Sequence, residues 1–390
     1  MLRVLGRCLL LTLAMIGPIR AETASTKLRL TIQVAANEPF LGAPVVQFKN
    51  DVERETANAV SIEIFDKGKL YIDNQVVDAV KSGAIEMGVA GINQITKIVP
   101  AASIMEQPFV FNFDALVRAA TSPDSEIRQL IDNAVVQALG LHVLWWETIG
   151  RQVFLTKSGD IRLPDQIKGM KIRAFSETMA KFVKDCGGVP LNMSISDVHR
   201  ALENGTLDMT MTSVAAVQTR DLWQVTRAIT RTDHATIEFL VVINEKVWQS
   251  LSDELKRIIM KAARKVEHEA RARASLLEAA AYDFARSKGM KIYDLTPGEV
   301  AEWRACSTDV TTAYVDNGGE LTQRLMKAYA RLRTQPCCSA GPSTDALNGQ
   351  RSDGPRPTSV TQEQRPYVPQ PYDLSLTGGQ ISNRQPSPRK

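Results

Sequence analysis

Histidine and cysteine are scarce in this chain, with four and five residues among 390, and aromatic side chains make up only 6%. No CxxC pair or other metal-ligand spacing occurs, and His142, His199, His234 and His268 are scattered, none beside a serine or cysteine it would activate. The phosphate loop GxxxxGKS/T, the dinucleotide fingerprint GxGxxG, the zinc motif HExxH and the nucleophile elbow GxSxG are all missing. These absences weigh against nucleotide-dependent, metalloprotease and serine-hydrolase chemistry. Excess charge is missing too: 47 basic residues face 43 acidic ones, and 44 face 43 once Arg3, Arg7 and Arg20 are set aside. A near-neutral balance gives no reason to expect a nucleic-acid partner. Nowhere does an uninterrupted apolar run reach the roughly 18 to 20 residues of a spanning helix.

The ends of the chain differ from its body. Residues 1–21 read as a cleavable export signal, with Arg3 and Arg7 at the start, an apolar run from Leu9 to Gly17, and a cleavage site at Ile19-Arg20-Ala21. That reading places the mature protein in the periplasm, not itself spanning the membrane. From Ser343 onward Pro, Ser, Gln, Asn and Gly dominate, and residues 337–390 are expected to form a disordered tail. Four cysteines then remain: Cys186, Cys306, Cys337 and Cys338. In an oxidising compartment Cys186 and Cys306 either pair or stand as two separate buried thiols, and the second is the expectation. The adjacent Cys337 and Cys338 are unpaired or intermolecular on the same reading.

Between Lys27 and Pro336, strand-like and helix-like segments alternate, which predicts an α/β protein with mainly parallel pairing. Strands are expected at Leu28–Val34, Ser61–Phe65, Glu86–Ala90, Leu141–Glu147, Arg151–Thr156, Met170–Arg173, Thr206–Thr212 and Phe239–Ile243. The last of these returns the chain to the first lobe. Asp253 to Lys288 lacks Pro and Gly and is rich in Ala, Glu, Lys, Arg and Leu, so one helix of about 36 residues and roughly 54 Å is predicted. It is long enough to brace two lobes. Its basic residues are interleaved with acidic ones over an apolar stripe, which reads as a solvated face.

The most informative segment runs from Lys168 to Asp208, because it plants Arg173 where a strand stops and a helix begins. Ser176 is the predicted N-cap of that helix, and Gly187-Gly188 its stop. Ligands of α/β sheets settle at the carboxyl ends of strands, and a guanidinium there offers a planar two-bond fork to a carboxylate. The alternative for any lone arginine is an interdomain or surface ion pair.

The succession IRLPDQIKGMKIRAF, VPLNMSISDVHRALENGTLD and FLVVINEKVWQSLSDE resembles the solute-binding proteins of the tripartite ATP-independent periplasmic (TRAP) transporters, dicarboxylate type, across about Lys27 to Pro336. The resemblance implies a two-lobed periplasmic binding protein fold with a hinge and a long bracing helix. It also implies a non-enzymatic receptor, without cofactor, that captures a small organic carboxylate between its lobes and delivers it to an ion-gradient-driven membrane permease. The lobes implied are 27–149 plus about 236–270, and 150–235 plus about 271–336. Arg173 matches the family arginine that pairs with the ligand carboxylate, and Arg151 resembles a second, with an interlobe ion pair as its alternative. Thr212 stands where many members carry an asparagine amide, and His199 replaces a common tyrosine. Weaker candidates are Asn37 and Glu38 after the first strand, Phe175 against the ligand body or in the core, and Glu147 as a ligand or hinge contact. A signalling receptor or a secreted hydrolase are the competing functions.

Overall fold

The computed structural model describes residues 26–339, so the export signal and nearly all of the tail lie outside the described residues. Eleven strands are described. In chain order they are β1 (Thr26–Thr31), β2 (Val60–Phe65), β3 (Met87–Gly91), β4 (Leu141–Arg151), β5 (Val153–Thr156), β6 (Lys171–Ala174), β7 (Val189–Asn192), β8 (Met209–Thr212), β9 (Ala228–Arg231), β10 (Thr236–Asn244) and β11 (Lys291–Asp294). They form two sheets, one ordered β2-β1-β3-β10-β4 and the other β11-β9-β5-β8-β6-β7. The fold is the expected two-lobed α/β architecture.

Pairing is parallel where helices connect the strands, as in β1 with β2 and β3, and β6 with β7 and β8. Around the crossings between sheets it is antiparallel, which tempers the expectation of mainly parallel strands. Gln152 alone separates β4 from β5, so β4 carries the chain out and β10 brings it back alongside in the opposite sense.

The first sheet is covered on both faces, and the period-two alternation of β4 shows it. Trp145 points into one core with Leu28, Leu30, Phe48 and Val241, its ring 4.8 Å from that of Phe48. Trp146 points into the other, among Ile104, Phe111, Leu130 and Leu240. Each fully buried large side chain of this kind stabilises the fold by about 1.5–3 kcal/mol. The second sheet likewise separates a core around Phe154, Phe182 and Trp303 from one around Leu155, Leu202, Val217 and Ile229.

The long helix spans Asp253–Ser287, and Ser252 caps it by accepting the Leu255 amide at 3.3 Å. Its first half buries Ile259, Ala262, Ala263 and Val266 in the core of the first sheet, while Ala281, Tyr282 and Ala285 enter that of the second. One helix therefore contributes to the cores of both sheets. Glu267, also buried, pairs with Arg128 and with Arg271, the latter at 2.9 Å.

Three expectations change. Cys186 and Cys306 are joined as a disulfide across 120 residues, not two separate thiols, because the helix ending at Asp185 and the helix Pro297–Cys306 bring their Cα atoms to 5.0 Å. Cys337 and Cys338 form a vicinal pair, with Cys338 buried in the core of the first sheet, so packing continues past the expected start of the tail. The helix Glu320–Arg333, placed by sequence with the second lobe, instead packs Leu325, Ala328 and Leu332 into the first, where its apolar stripe meets Ile104, Leu116 and Leu130.

Candidate ligand-binding cleft

Strands β1, β3, β6 and β8 all direct their carboxyl ends at one cavity between the two sheets. Gln33, Val34, Gly91 and Asn93 contribute from the first side, and Arg173, Phe175, Thr212 and Ser213 from the second. The space open to the centre of a water-sized sphere is about 100 Å³. Its position is the one that open α/β sheets reserve for ligands.

Arg173 is the last but one residue of β6, and its guanidinium is buried in this wall at 6% exposure. The segment folds as the sequence predicts: Ser176 caps the following helix by accepting the Met179 amide at 3.2 Å, which fixes the turn that carries Phe175. Arg173 Nε donates to the Met193 carbonyl at 3.2 Å, and the guanidinium carbon sits 5.3 Å from the centre of the Phe175 ring. Among the described residues it makes no ion pair. Burial pulls its pKa down to about 10, Asp73 opposing and Arg220 assisting the shift. A buried cation without a counter-charge is costly, and an arriving anion relieves that cost.

Thr212 ends β8 and is buried in the same wall. Phe175 lies beside Arg173, so its ring serves both as a cation–π partner and as an apolar surface of the cavity. Arg173, Phe175 and Thr212 are thus brought together.

Arg151 and Glu147 are not. Both line a second, smaller cavity of about 50 Å³ together with Asp114, Thr236, Arg271 and Glu278. Arg151 donates to Asp114 from Nε at 3.2 Å and Nη2 at 3.0 Å, and to the Phe111 carbonyl from Nη1 at 3.2 Å. Its fork is already occupied. Glu147 accepts from Trp145 Nε1 at 3.1 Å, and burial pushes its carboxyl well above the usual range. Asn37 is exposed and lies in an outer groove with His199 and Lys67. Glu38 reaches the main cavity but caps a helix, its carboxylate accepting the amides of Phe40 at 3.2 Å and Leu41 at 2.7 Å. Burial raises its pKa against those bonds.

Sequence reasoning missed Arg220, Asp73 and Gln33, which all line the main cavity. Gln33 Oε1 is buried there without a hydrogen-bond partner among the described residues. Arg220 follows the short helix Ala215–Thr219 directly, eight residues past Thr212, so its proximity to a motif position was the one available signal.

A cleft between two sheets, walled by strand ends and presenting a buried unpaired cation, defines a two-lobed solute receptor. The chain matches the bacterial extracellular solute-binding protein family 7 over residues 31–317, and it belongs to that family, whose relatives of known structure are solute receptors of TRAP transporters. It is 23% identical over 322 residues to the C4-dicarboxylate-binding periplasmic protein DctP of Rhodobacter capsulatus, covering 82% of this chain and 94% of that one. It is 22% identical over 273 residues to the C4-dicarboxylate-binding protein DctB of Bacillus subtilis, covering 69% and 77%. Among solved structures it shares the fold of DctP7 of Bordetella pertussis, an extracytoplasmic solute receptor binding pyroglutamic acid, with a TM-score of 0.73 at 21% identity over 78% of this chain and 100% of that one. A TRAP periplasmic solute-binding protein of Shewanella oneidensis with bound succinate aligns with a TM-score of 0.72 at 21% identity, over 78% and 100%.

Proposed function

We propose that the protein is a periplasmic receptor that encloses a small organic carboxylate between its lobes and delivers it unchanged to a TRAP-type permease. The observation that carries this reading is Arg173, a buried guanidinium that makes no ion pair among the described residues, in the wall of the cavity between the two sheets. Its two outer nitrogens offer the parallel donors that a carboxylate accepts. The moving bodies are residues 27–149 with about 236–270, and 150–235 with the chain from about 271, apart from the helix Glu320–Arg333 that packs on the first. Closure removes water from around the ion pair, which strengthens it, and presents the permease with a shape distinct from the open one. Capture needs no bond to form or break, so the receptor is not an enzyme.

A thermal-shift screen of organic acids on ligand-free protein, followed by calorimetry of the hits, tests the reading. Arg173→Ala is expected to weaken binding by about 2–4 kcal/mol, and Arg173→Lys not to restore it, because the fork is lost. Wild-type affinity in Arg173→Ala removes the proposed anchor, and mass spectrometry showing a converted ligand removes the receptor reading.

A further inference from the structure

Glu106 closes the 3₁₀ segment Pro100–Glu106, whose Ala102, Ile104 and Met105 belong to the core of the first sheet. Glu106 itself is 1% exposed, and its carboxyl is hydrogen-bonded to the Ser176 hydroxyl, which belongs to the second lobe. Ser176 follows Phe175 directly, and the Phe175 carbonyl accepts Asn93 Nδ2 from the first lobe. The carboxyl is thus sealed at a junction between the two bodies that move in capture.

No cation compensates it among the described residues. The helix Ile92–Ile95, packed on the segment, carries no titratable side chain. Glu238 of β10 is turned to Thr148 and Thr236. The helix that Ser176 caps holds Glu177 and Lys184 exposed and pairs Lys181 with Asp185 at 2.7 Å. On the helix Glu320–Arg333, Glu320, Arg324, Lys327 and Arg331 are exposed, Arg333 lies over the Phe113 ring, and Tyr329 donates to the Val110 carbonyl. Tyr314 donates to the Ala101 carbonyl, and His234, whose own carbonyl accepts the Phe109 amide, is held neutral by burial. Burial outweighs the Ser176 bond and pushes the Glu106 pKa up to about 8.

A carboxylate sealed from water without a cation is costly, and keeping the proton avoids the cost. We propose that Glu106 is a proton-binding site filled when the lobes close, so that capture of the organic acid takes up one proton from solvent. This rests on the carboxylate-capture reading, because lobe closure is what seals the site against Ser176. When the lobes part, water reaches the carboxyl and it ionises as an ordinary glutamate, near pH 4.3. The closed form keeps its proton up to about pH 8. Affinity is therefore greatest on the acid side, falls as pH rises through neutrality, and levels off above about pH 8.

Calorimetry of the mature protein tests this with the tightest binder among succinate, pyroglutamate, glucuronate and galactonate. Titrations at pH 7 in phosphate and in Tris, which differ in heat of ionisation, count the protons exchanged on binding. Wild-type protein is expected to take up more than about half a proton per ligand, and to lose about tenfold or more in affinity between pH 6 and 8. Glu106→Gln, a neutral mimic of the protonated acid, is expected to take up none, to bind alike at both pH values, and to exceed wild type about tenfold at pH 8. Tighter binding cannot come from a damaged fold, and the wild-type proton count needs no variant. Zero uptake by the wild type overturns the inference while carboxylate capture stands. Uptake that persists in Glu106→Gln overturns it too, assigning the proton to another acid raised by burial, such as Glu38 in the main cavity or Glu278 in the second. A variant that binds no more tightly than wild type at pH 8 also overturns it. Binding of none of the four acids fells the capture reading, and the proton coupling with it.

Discussion

Ser194 Oγ donates a hydrogen bond of 2.6 Å to Asp73 Oδ1 across 121 residues of sequence. Ser194 follows β7 of the second sheet, and Asp73 lies between β2 and β3 of the first. The bond spans the cleft beside the main cavity, which Asp73 and Arg173 both line. A second bridge between the sheets runs from Asn93 Nδ2 to the Phe175 carbonyl at 3.1 Å. Both are made only when the sheets are this close.

Ser194→Ala deletes the first bridge without touching the cavity's cations. Calorimetry should show ligand binding weakened by about 1 kcal/mol, roughly fivefold, because one side-chain bond that favours the closed form is gone. Unaltered affinity, with ligand present and both lobes folded, would mean that the bond contributes nothing to closure.

Arg173→Met should separate stability from function. An uncompensated buried cation is replaced by a flexible apolar chain of similar length, so the ligand-free protein is expected to melt a few degrees higher. The same variant should lose the ligand-induced rise entirely. A lower melting point than wild type, measured ligand-free, would show that the Met193 carbonyl bond outweighs the desolvation of the guanidinium.

Stability should fall as pH rises from about 6.5 to 8. Glu106 is fully buried, and burial, only partly opposed by a hydrogen bond from Ser176, pushes its pKa up to about 8. Glu238, buried under hydrogen bonds from Thr236 and Thr148, is raised to about 7. Unfolded glutamates ionise near pH 4.3, so over this window the folded state holds protons that the unfolded state has released. His234 acts in the opposite direction, its pKa lowered by burial to about 3, but only below about pH 6.5, where the unfolded imidazole charges. Urea unfolding at pH 6.5 and 8.5 should therefore show a smaller loss for Glu106→Gln than for wild type. Equal losses would rule Glu106 out as a source of the trend.

The Cys186–Cys306 bond encloses 120 residues, and chain-entropy arguments assign such a loop about 3–5 kcal/mol. Reduction, or the double variant Cys186→Ala and Cys306→Ala, should lower the melting point by about 5–10 °C. Ligand affinity should change little, since neither sulfur lines the cavity. A melting curve indifferent to reductant would mean that the two helices it joins are held fully by packing around Trp303.

What the sequence revealed follows what is local. Arg173, Phe175 and Thr212 are placed by short strands and a capped helix, each legible from a few neighbouring residues. The long helix was readable for the same reason, from the absence of Gly and Pro and from Ser252. Arg220, Asp73 and Gln33 reach the cavity only because two sheets fold over it, and no local pattern encodes that. Arg151 takes its alternative role, an ion pair, through a feature that alternation cannot foresee. Opposite β10, the register of β4 slips between Thr148 and Gly150, leaving Ile149 unpaired, and Gly150 takes a φ of +117°. Such a bulge re-aims the residues that follow, and Arg151 ends on Asp114. The Cys186–Cys306 pairing was invisible because spacing along the chain says nothing of which helices dock.

Strand β10 lies between β3 and β4, and β5 lies between β9 and β8. Each sheet thus takes an inner strand from a part of the chain made long after, or long before, its neighbours. A polypeptide released from synthesis before Asn244 has β4 with nothing to join it to β3, and one that stops before Asp294 has an open edge at β9. Neither half is severable as a fragment, and expression of either alone should yield an aggregating chain. Such late completion delays collapse into the native form until β10 and β11 have been made.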